Sequence, residues 1–377
     1  MKKILFVLPW LAVGGLERVQ VTLANALADR GYDVTIMTLN PQADLKPELS
    51  SKVKYVYKPY KPHPIARRIP YIRHRFYDDG MWETRASAKK LYQYYVGNEQ
   101  FDVEIGFFRG LSVKIISGST NPNSVKLAWV HSDFKHCAGI TSNFKNLQDV
   151  KNAYERFDRI ICVSQKAKQS FEEVIGHVEK TVCIYNFLPI EKILALSNQP
   201  CTIVKRCFTI VSVGRLSEVK GYDRLIKAIQ RLHDEGTNLE LWLIGDGEER
   251  AKLADLVGDA DYIRLLGMQQ NPYPYMKQAD LYVCSSRYEG FNLTVAEALV
   301  LGLPVLSTDC TGPTEILDHG KYGMICENSE EGLYCGIKEL ITNRHSLQNF
   351  ASRSSSRGQV FSVDKSMDLL SDILEKL

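Results

Sequence analysis

Ser285-Ser286-Arg287-Tyr288-Glu289-Gly290-Phe291-Asn292-Leu293-Thr294-Val295-Ala296-Glu297-Ala298-Leu299 is the stretch that decides the fold of this 377-residue chain. The apolar run Ala279–Cys284 before it reads as a strand, Gly290 as a permissive turn, and Asn292 as the N-cap of a helix that Gly302 and Pro304 close. Strand, tight loop and helix start, in that order, place unpaired amides above the end of a sheet. Those of Leu293 and Thr294, with the positive end of the helix dipole behind them, suit a phosphate. Glu289 and Glu297 flank this anion pocket, about 12 Å or less apart at the rise of a helix. Two glutamates alone carry little, since exposed Glu is what helices usually bear.

Further elements support that stretch. The strand-like run ending at Val213 is followed by Gly214-Arg215-Leu216-Ser217-Glu218-Val219-Lys220-Gly221 and a helix from Tyr222. Two cations at the carboxyl end of a strand can reach one diphosphate, Arg as a fork across two oxygens and Lys as a point charge. Leu239–Ile244 leads into Gly245-Asp246-Gly247, Tyr262–Leu266 into Gly267-Met268, and Pro304–Thr308 into Asp309–Ile316. Near the amino end, Lys3–Pro9 reads as a buried strand, Gly14-Gly15 as a turn, Leu16–Arg30 as a helix and Val34–Leu39 as a strand, the unit that builds parallel sheets. The Gly-Gly pair lets backbone approach a ligand but is not the GxGxxG dinucleotide fingerprint. Phe101–Gly106 and Lys126–Val130 are further strands, the second running into His131-Ser132-Asp133-Phe134. His131 thus stands where parallel sheets place ligands, whereas His136 reads as a surface residue. Arg159–Ser164 and Thr181–Asn186 complete the first half. Pro189–Arg206, with two prolines and no clear strand, is the expected boundary between domains 1–188 and 189–361. Met367, Leu370, Ile373 and Leu377 then recur at near-helical spacing.

Together these motifs resemble glycosyltransferase family 4, the retaining sugar transferases of the GT-B fold. Glu289 and Glu297, with Gly-Phe after the first and Glu-Ala at the second, match the family's E-x7-E signature. Gly214–Gly221 matches G-R-L-x-x-x-K-G, Ile244–Gly247 resembles I-G-x-G, and Trp129–Asp133 resembles the N-domain histidine motif. The likeness runs from residue 1 to about residue 325. It implies an α/β architecture of two doubly wound Rossmann-like domains facing a central cleft. The acceptor-side domain, 1–188, would be joined by a returning helix at 362–377, and 189–361 would hold the nucleotide sugar. Carried over by the resemblance, Glu289 would hold hydroxyls of the transferred sugar and Glu297 the ribose. Gly14 and Gly15 would lie over the diphosphate and acceptor, Gly245 near the donor, and the Met268 backbone against the base. His131 would orient the sugar near the reacting carbon. Arg215, Lys220 and the helix start at Asn292, Leu293 and Thr294 would stabilise the departing diphosphate with no metal and no cofactor. The implied reaction transfers a hexose or N-acetylhexosamine from a UDP-sugar, the family's commonest donor. The implied acceptor is a glycan, lipid-linked, in capsule or exopolysaccharide synthesis.

Composition bounds the alternatives. With 45% hydrophobic and 24% charged residues the chain suits a globular protein of two cores, not a disordered or fibrous one. A formal charge of +3 gives no case for nucleic acid. The nine cysteines show neither CxxC pairs nor metal-ligand spacing, and several fall in strand-like runs, which reads as reduced thiols in the cytoplasm. Pro9, Gly14, Gly15, Glu17 and Arg18 break the first apolar run too early for a secretory signal. No run approaches the roughly 20 apolar residues of a membrane span, so any contact with the inner face of the membrane would be peripheral. The basic, aromatic stretch Lys58–Phe76 can rest on anionic headgroups or be a solvated loop, and the residues weigh equally for both. Asp259-Ala260-Asp261 has the form of a metal-binding D-x-D but precedes a strand, and reads as a surface turn. An oxidoreductase or epimerase on a dinucleotide fold lacks its glycine fingerprint. A non-catalytic accessory subunit would have lost the charged residues that this chain retains.

Overall fold

Parallel strands buried on both faces read as continuous apolar runs, and the runs picked out above become strands of that kind. The computed structural model describes residues 1–59, 81–135, 137 and 139–376. The chain divides into two compact units, Met1–Tyr185 with Ser366–Leu377, and Asn186–Lys365. In the first, β1 (Lys3–Leu8), β2 (Asp33–Thr38), β3 (Lys54–Tyr57), β4 (Val103–Gly106), β5 (Val125–Val130), β6 (Arg159–Cys162) and β7 (Thr181–Cys183) form one sheet in the order β3-β2-β1-β4-β5-β6-β7. In the second, β8 (Phe208–Val213), β9 (Leu239–Ile244), β10 (Ile263–Leu265), β11 (Leu281–Cys284), β12 (Val305–Thr308) and β13 (Met324–Cys326) take the order β10-β9-β8-β11-β12-β13. Every pairing is parallel, with helices alternating between strands, so each unit is a doubly wound Rossmann-like domain.

The order of each sheet places its site. β1 has β2 on one side and β4 on the other, and β8 likewise lies between β9 and β11. Connections leaving these strands diverge to opposite sides, which opens a crevice beyond the carboxyl ends of β1 and β4 and another beyond β8 and β11. The helices bury the faces their periodicity marks: Val19, Leu23 and Leu27 on Gly15–Asp29, and Leu225, Ile226, Ile229 and Leu232 on Tyr222–Asp234.

Several elements had gone unread. β3 and β13 are short edge strands, and Ile190–Ser197 is a helix of the second unit within the stretch expected to separate the domains. Helices Glu330–Thr342 and Arg344–Gly358 close the second unit. The latter lies so near Leu293–Val300 that a Cβ on Gly358 would be 2.7 Å from the Val300 nitrogen, and Ser354 Oγ donates to the Leu303 carbonyl at 2.7 Å. The helix that starts at the anion pocket is thereby braced from behind. The returning helix is Val363–Lys376, in which Met367, Leu370 and Leu374 are buried. Asp259–Asp261 forms an exposed turn. Among the described residues no helix is long and apolar enough to cross a membrane. The stretch expected to meet anionic headgroups lies outside the described residues from 60 to 76, as does His136.

Candidate functional site

At the carboxyl end of β8 the chain turns through Gly214 and Arg215, and Gly214 is confined by its neighbour strand. Gly245, at the end of β9, has φ 144°, and a Cβ there would stand 1.9 Å from the Gly214 carbonyl oxygen. Only glycine serves both the conformation and the approach. The Gly245 amide donates to the Gly267 carbonyl at 2.9 Å, which ties the β9 and β10 loops together and leaves Met268 64% exposed.

Two loops from β8 and β11 are then stapled to one another. Ser285 Oγ donates to the Lys220 carbonyl at 2.8 Å, and the Arg287 amide to the Val219 carbonyl at 2.7 Å. The Arg287 guanidinium forks onto both Asp223 carboxylate oxygens at 3.0 and 2.9 Å. This clamp sets Lys220 against Glu289: Nζ donates to Oε1 at 2.5 Å. The same Oε1 accepts from Ser286 Oγ at 2.9 Å and Asn292 Nδ2 at 3.3 Å, while Oε2 has no partner among the described residues. Burial works against the Lys220 ammonium, but the Glu289 carboxylate outweighs it and holds the lysine well above its ordinary pKa. Cys284 lies under this pair and accepts from Asn292 Nδ2 at 3.4 Å. The Cys310 thiol directed at it lowers Cys284 and raises itself.

Asn292 caps Leu293–Val300, its Oδ1 accepting from the Val295 amide at 3.2 Å. The Leu293 and Thr294 amides have no partner among the described residues. Thr294 Oγ1 is 2.5 Å from Tyr282 Oη, which anchors the first turn to β11. Glu297 accepts from Tyr273 Oη at 3.0 Å, and Arg215 is exposed, its guanidinium making no hydrogen bond or ion pair among the described residues. The expected cation pair is therefore split into a tethered lysine and an unengaged arginine.

In the first unit, Gly14 is the N-cap and Gly15 the first residue of the helix Gly15–Asp29, one residue earlier than expected. Gly14 is extended at φ −167°, so space and not conformation singles it out: a Cβ would meet the Glu17 carboxylate at 2.1 Å. Glu17 Oε1 accepts from the indole of Trp10 at 2.9 Å, and Trp10 itself is 42% exposed at the end of β1. The sequence offered one sign of this pair, a large aromatic just past a buried strand. His131 follows β5 directly. A carbonyl can only accept, so Nε2 carries the proton it donates to Phe107 at 3.0 Å, and Nδ1 is a buried lone pair without a partner. Burial pulls this imidazole down to about 4, partly offset by the Phe107 carbonyl, so it is neutral near pH 7.

Residues 207–343 match the family model described as glycosyl transferases group 1. The chain is similar to an uncharacterized glycosyltransferase of Methanocaldococcus jannaschii, 37% identical over 198 residues, which are 46% of this chain and 49% of that one. It is also similar to the N-acetylgalactosamine-N,N'-diacetylbacillosaminyl-diphospho-undecaprenol 4-alpha-N-acetylgalactosaminyltransferase of Campylobacter jejuni, 23% identical over 93% of this chain and 93% of the relative. Among solved structures, Anabaena Alr3699/HepE in complex with UDP and glucose superposes with a TM-score of 0.76 at 20% identity, over 100% of both chains.

Proposed function

From the premise that the chain is a glycosyltransferase of the GT-B fold, we propose that it moves a hexose or N-acetylhexosamine from a UDP-sugar to a glycan acceptor with retention of configuration. The observation that carries this reading is the Lys220–Glu289 pair beside the unpartnered Leu293 and Thr294 amides. One face of that cluster offers positive charge to a diphosphate, the other a carboxylate oxygen to a sugar hydroxyl. Breaking the bond between sugar and diphosphate builds negative charge on the leaving phosphate. Lys220 and the two amides answer that charge from preorganised positions, an arrangement worth several kcal/mol, and the exposed Arg215 is free to fork onto the same phosphate. Lys220 stays protonated throughout the physiological range because Glu289 holds it so. In this reading the charge is met without a metal ion.

Glu289 Oε2 then binds the transferred sugar, Glu297 the ribose, and the loops at Gly245 and Met268 the rest of the nucleotide. His131, neutral and held at Nε2 by the Phe107 carbonyl, contributes no charge of its own, and with Nδ1 buried it meets the sugar through its backbone. Gly14 and Gly15 admit the ligand close to the backbone. Trp10 beside Glu17 presents an apolar plane and a carboxylate, a pairing suited to a sugar ring of the acceptor. The diphospho-undecaprenol in the name of the Campylobacter relative supports a lipid-linked acceptor.

The test is donor hydrolysis by the purified chain in EDTA across UDP- and GDP-sugars, with Glu289→Ala and Lys220→Ala beside it. Nucleotide release from a UDP-sugar, lost in both variants, is expected. Release that requires added divalent metal would remove the metal-free part. If no nucleotide is released or bound, the chain is an accessory subunit.

A further inference from the structure

A cavity of about 880 Å³ opens within the first unit, well inside the size range of ligand sites. Its walls are residues 84–89, the stretch 114–126, and residues 144–156 around the helix Leu147–Tyr154. It includes the turn that enters β5 at its amino end, whereas His131 leaves β5 at its carboxyl end. The cavity is thus separate from the crevice beyond β1 and β4.

Its charge is lopsided. Arg85, Lys89, Lys114, Lys126, Lys145 and Arg156 line it against a single carboxylate, Asp149, in a chain whose 47 basic and 44 acidic residues nearly cancel. The deepest cation is Lys114, 7% exposed, whose Nζ donates to the Glu83, Thr84 and Asn143 carbonyls at 2.7, 2.9 and 2.8 Å. Three carbonyls satisfy its hydrogens, and burial pulls it down to about 8, offset only in part by the Asp149 and Glu83 carboxylates, with which it makes no ion pair. Lys126 is fixed likewise by the Asn121 and Ser124 carbonyls. Lys89, Lys145 and Arg156 on the rim are exposed, their side chains making no hydrogen bond or ion pair among the described residues. Solvated lysines on helix faces account for the rim alone. They do not account for a buried ammonium at the back of the same hollow, where one sign of charge between low-dielectric walls concentrates the field.

We propose that this cavity binds a phosphate-bearing anion, gripped by Lys89, Lys145 and Arg156 with the fixed Lys114 ammonium behind it. The anion is either a lipid headgroup or a soluble phosphorylated compound. The assignment stands independently of the donor site, and its test keeps the two apart. The intact chain is lightly acetylated on its lysines, alone, with pyrophosphate, and with vesicles of phosphatidylglycerol or of phosphatidylcholine, and each lysine is read by mass spectrometry. Lys220 reports the donor site on its own peptide. Pyrophosphate is expected to slow labelling of Lys89 and Lys145 about fivefold, and Arg156→Glu to abolish that protection. A Lys145→Glu variant read at Lys89 gives the same answer should Arg156→Glu fail to fold. Protection by phosphatidylglycerol but not phosphatidylcholine vesicles identifies a headgroup, and protection by pyrophosphate alone a soluble ligand. Labelling of Lys89 and Lys145 that neither probe alters, or protection that survives the charge reversals, overturns the proposal.

Discussion

The carboxyl ends of the two sheets are built to opposite specifications. Beyond β8 and β11 the loops are cross-linked: Glu289 Oε1 takes three donors, and Arg287 and Ser285 lock one loop to the other, leaving Glu289 Oε2 and the Leu293 and Thr294 amides held in place but unpartnered among the described residues. Beyond β1 and β4 the groups are loosely held. Trp10 and Val13 are exposed, the Arg109 side chain makes no hydrogen bond or ion pair among the described residues, and His131 Nδ1 is buried without a partner. A site that meets the same charge in every turnover gains from fixed dipoles and charges, which need no rearrangement as the reaction proceeds. A site that meets a shape gains from apolar surface and few commitments. The difference suits the first to a leaving group and the second to an acceptor.

Lys220→Ala breaks the engaged end at its centre. It removes positive charge from the leaving group and strands Glu289 beside Ser286 and Asn292, so donor turnover should fall about 10²–10³-fold. Steady-state hydrolysis measures this, and a fall of less than tenfold would make the cluster structural. Gly245→Ala strikes the same end through the backbone. With φ at 144° and the Gly214 oxygen in the way, it should destabilise the protein by about 2–4 kcal/mol in urea unfolding.

His131 sharpens the contrast through pH. Its folded pKa of about 4 lies below the ordinary value of 6.5. As pH falls from about 7 the unfolded chain takes up a proton that the folded one refuses, and stability is lost until pH reaches about 4. Between pH 7.5 and 5 the wild type should lose about 1–2 kcal/mol more than His131→Asn, read from denaturant melts at each pH. Smallest of all, Trp10→Ala should raise the acceptor KM roughly 3- to 10-fold, with less effect on kcat. An equal loss at saturating acceptor would place Trp10 on the reaction itself.

What the sequence disclosed follows the same division. The segments 208–221 and 281–299 could be read because strand, glycine, cation and cap lie next to one another in the chain. Their union could not. Lys220 and Glu289 are 69 residues apart, and they meet because β8 and β11 are neighbours in the sheet, a fact of topology with no local mark. The resemblance gives the two separate tasks, diphosphate and sugar, and the structure adds that they form one ion pair. Glu297 has its partner Tyr273 on the short helix Tyr273–Gln278, too brief to show a period. β3 was missed because four residues at a sheet edge leave too short a pattern, and Glu330–Thr342 because glycines interrupt its apolar face. At Gly332 one of those glycines is required, for a Cβ there would stand 2.2 Å from the Glu327 carbonyl oxygen.

The returning helix also orders the birth of the molecule. Ser366 Oγ donates to the Tyr185 carbonyl, and Lys2 Nζ to the Leu374 carbonyl at 2.6 Å, so the first unit is finished by residues made after the whole of the second. A ribosome adding about 5–20 residues per second needs roughly 10–40 s to pass from Tyr185 to Ser366. Throughout that interval the second unit has its complete sequence emerging in one piece, while the first waits with the seat for Met367, Leu370 and Leu374 uncovered. The nascent first unit is therefore where a chaperone would be most needed, and a stalled chain ending before Ser366 would leave a finished second unit and an unfinished first one.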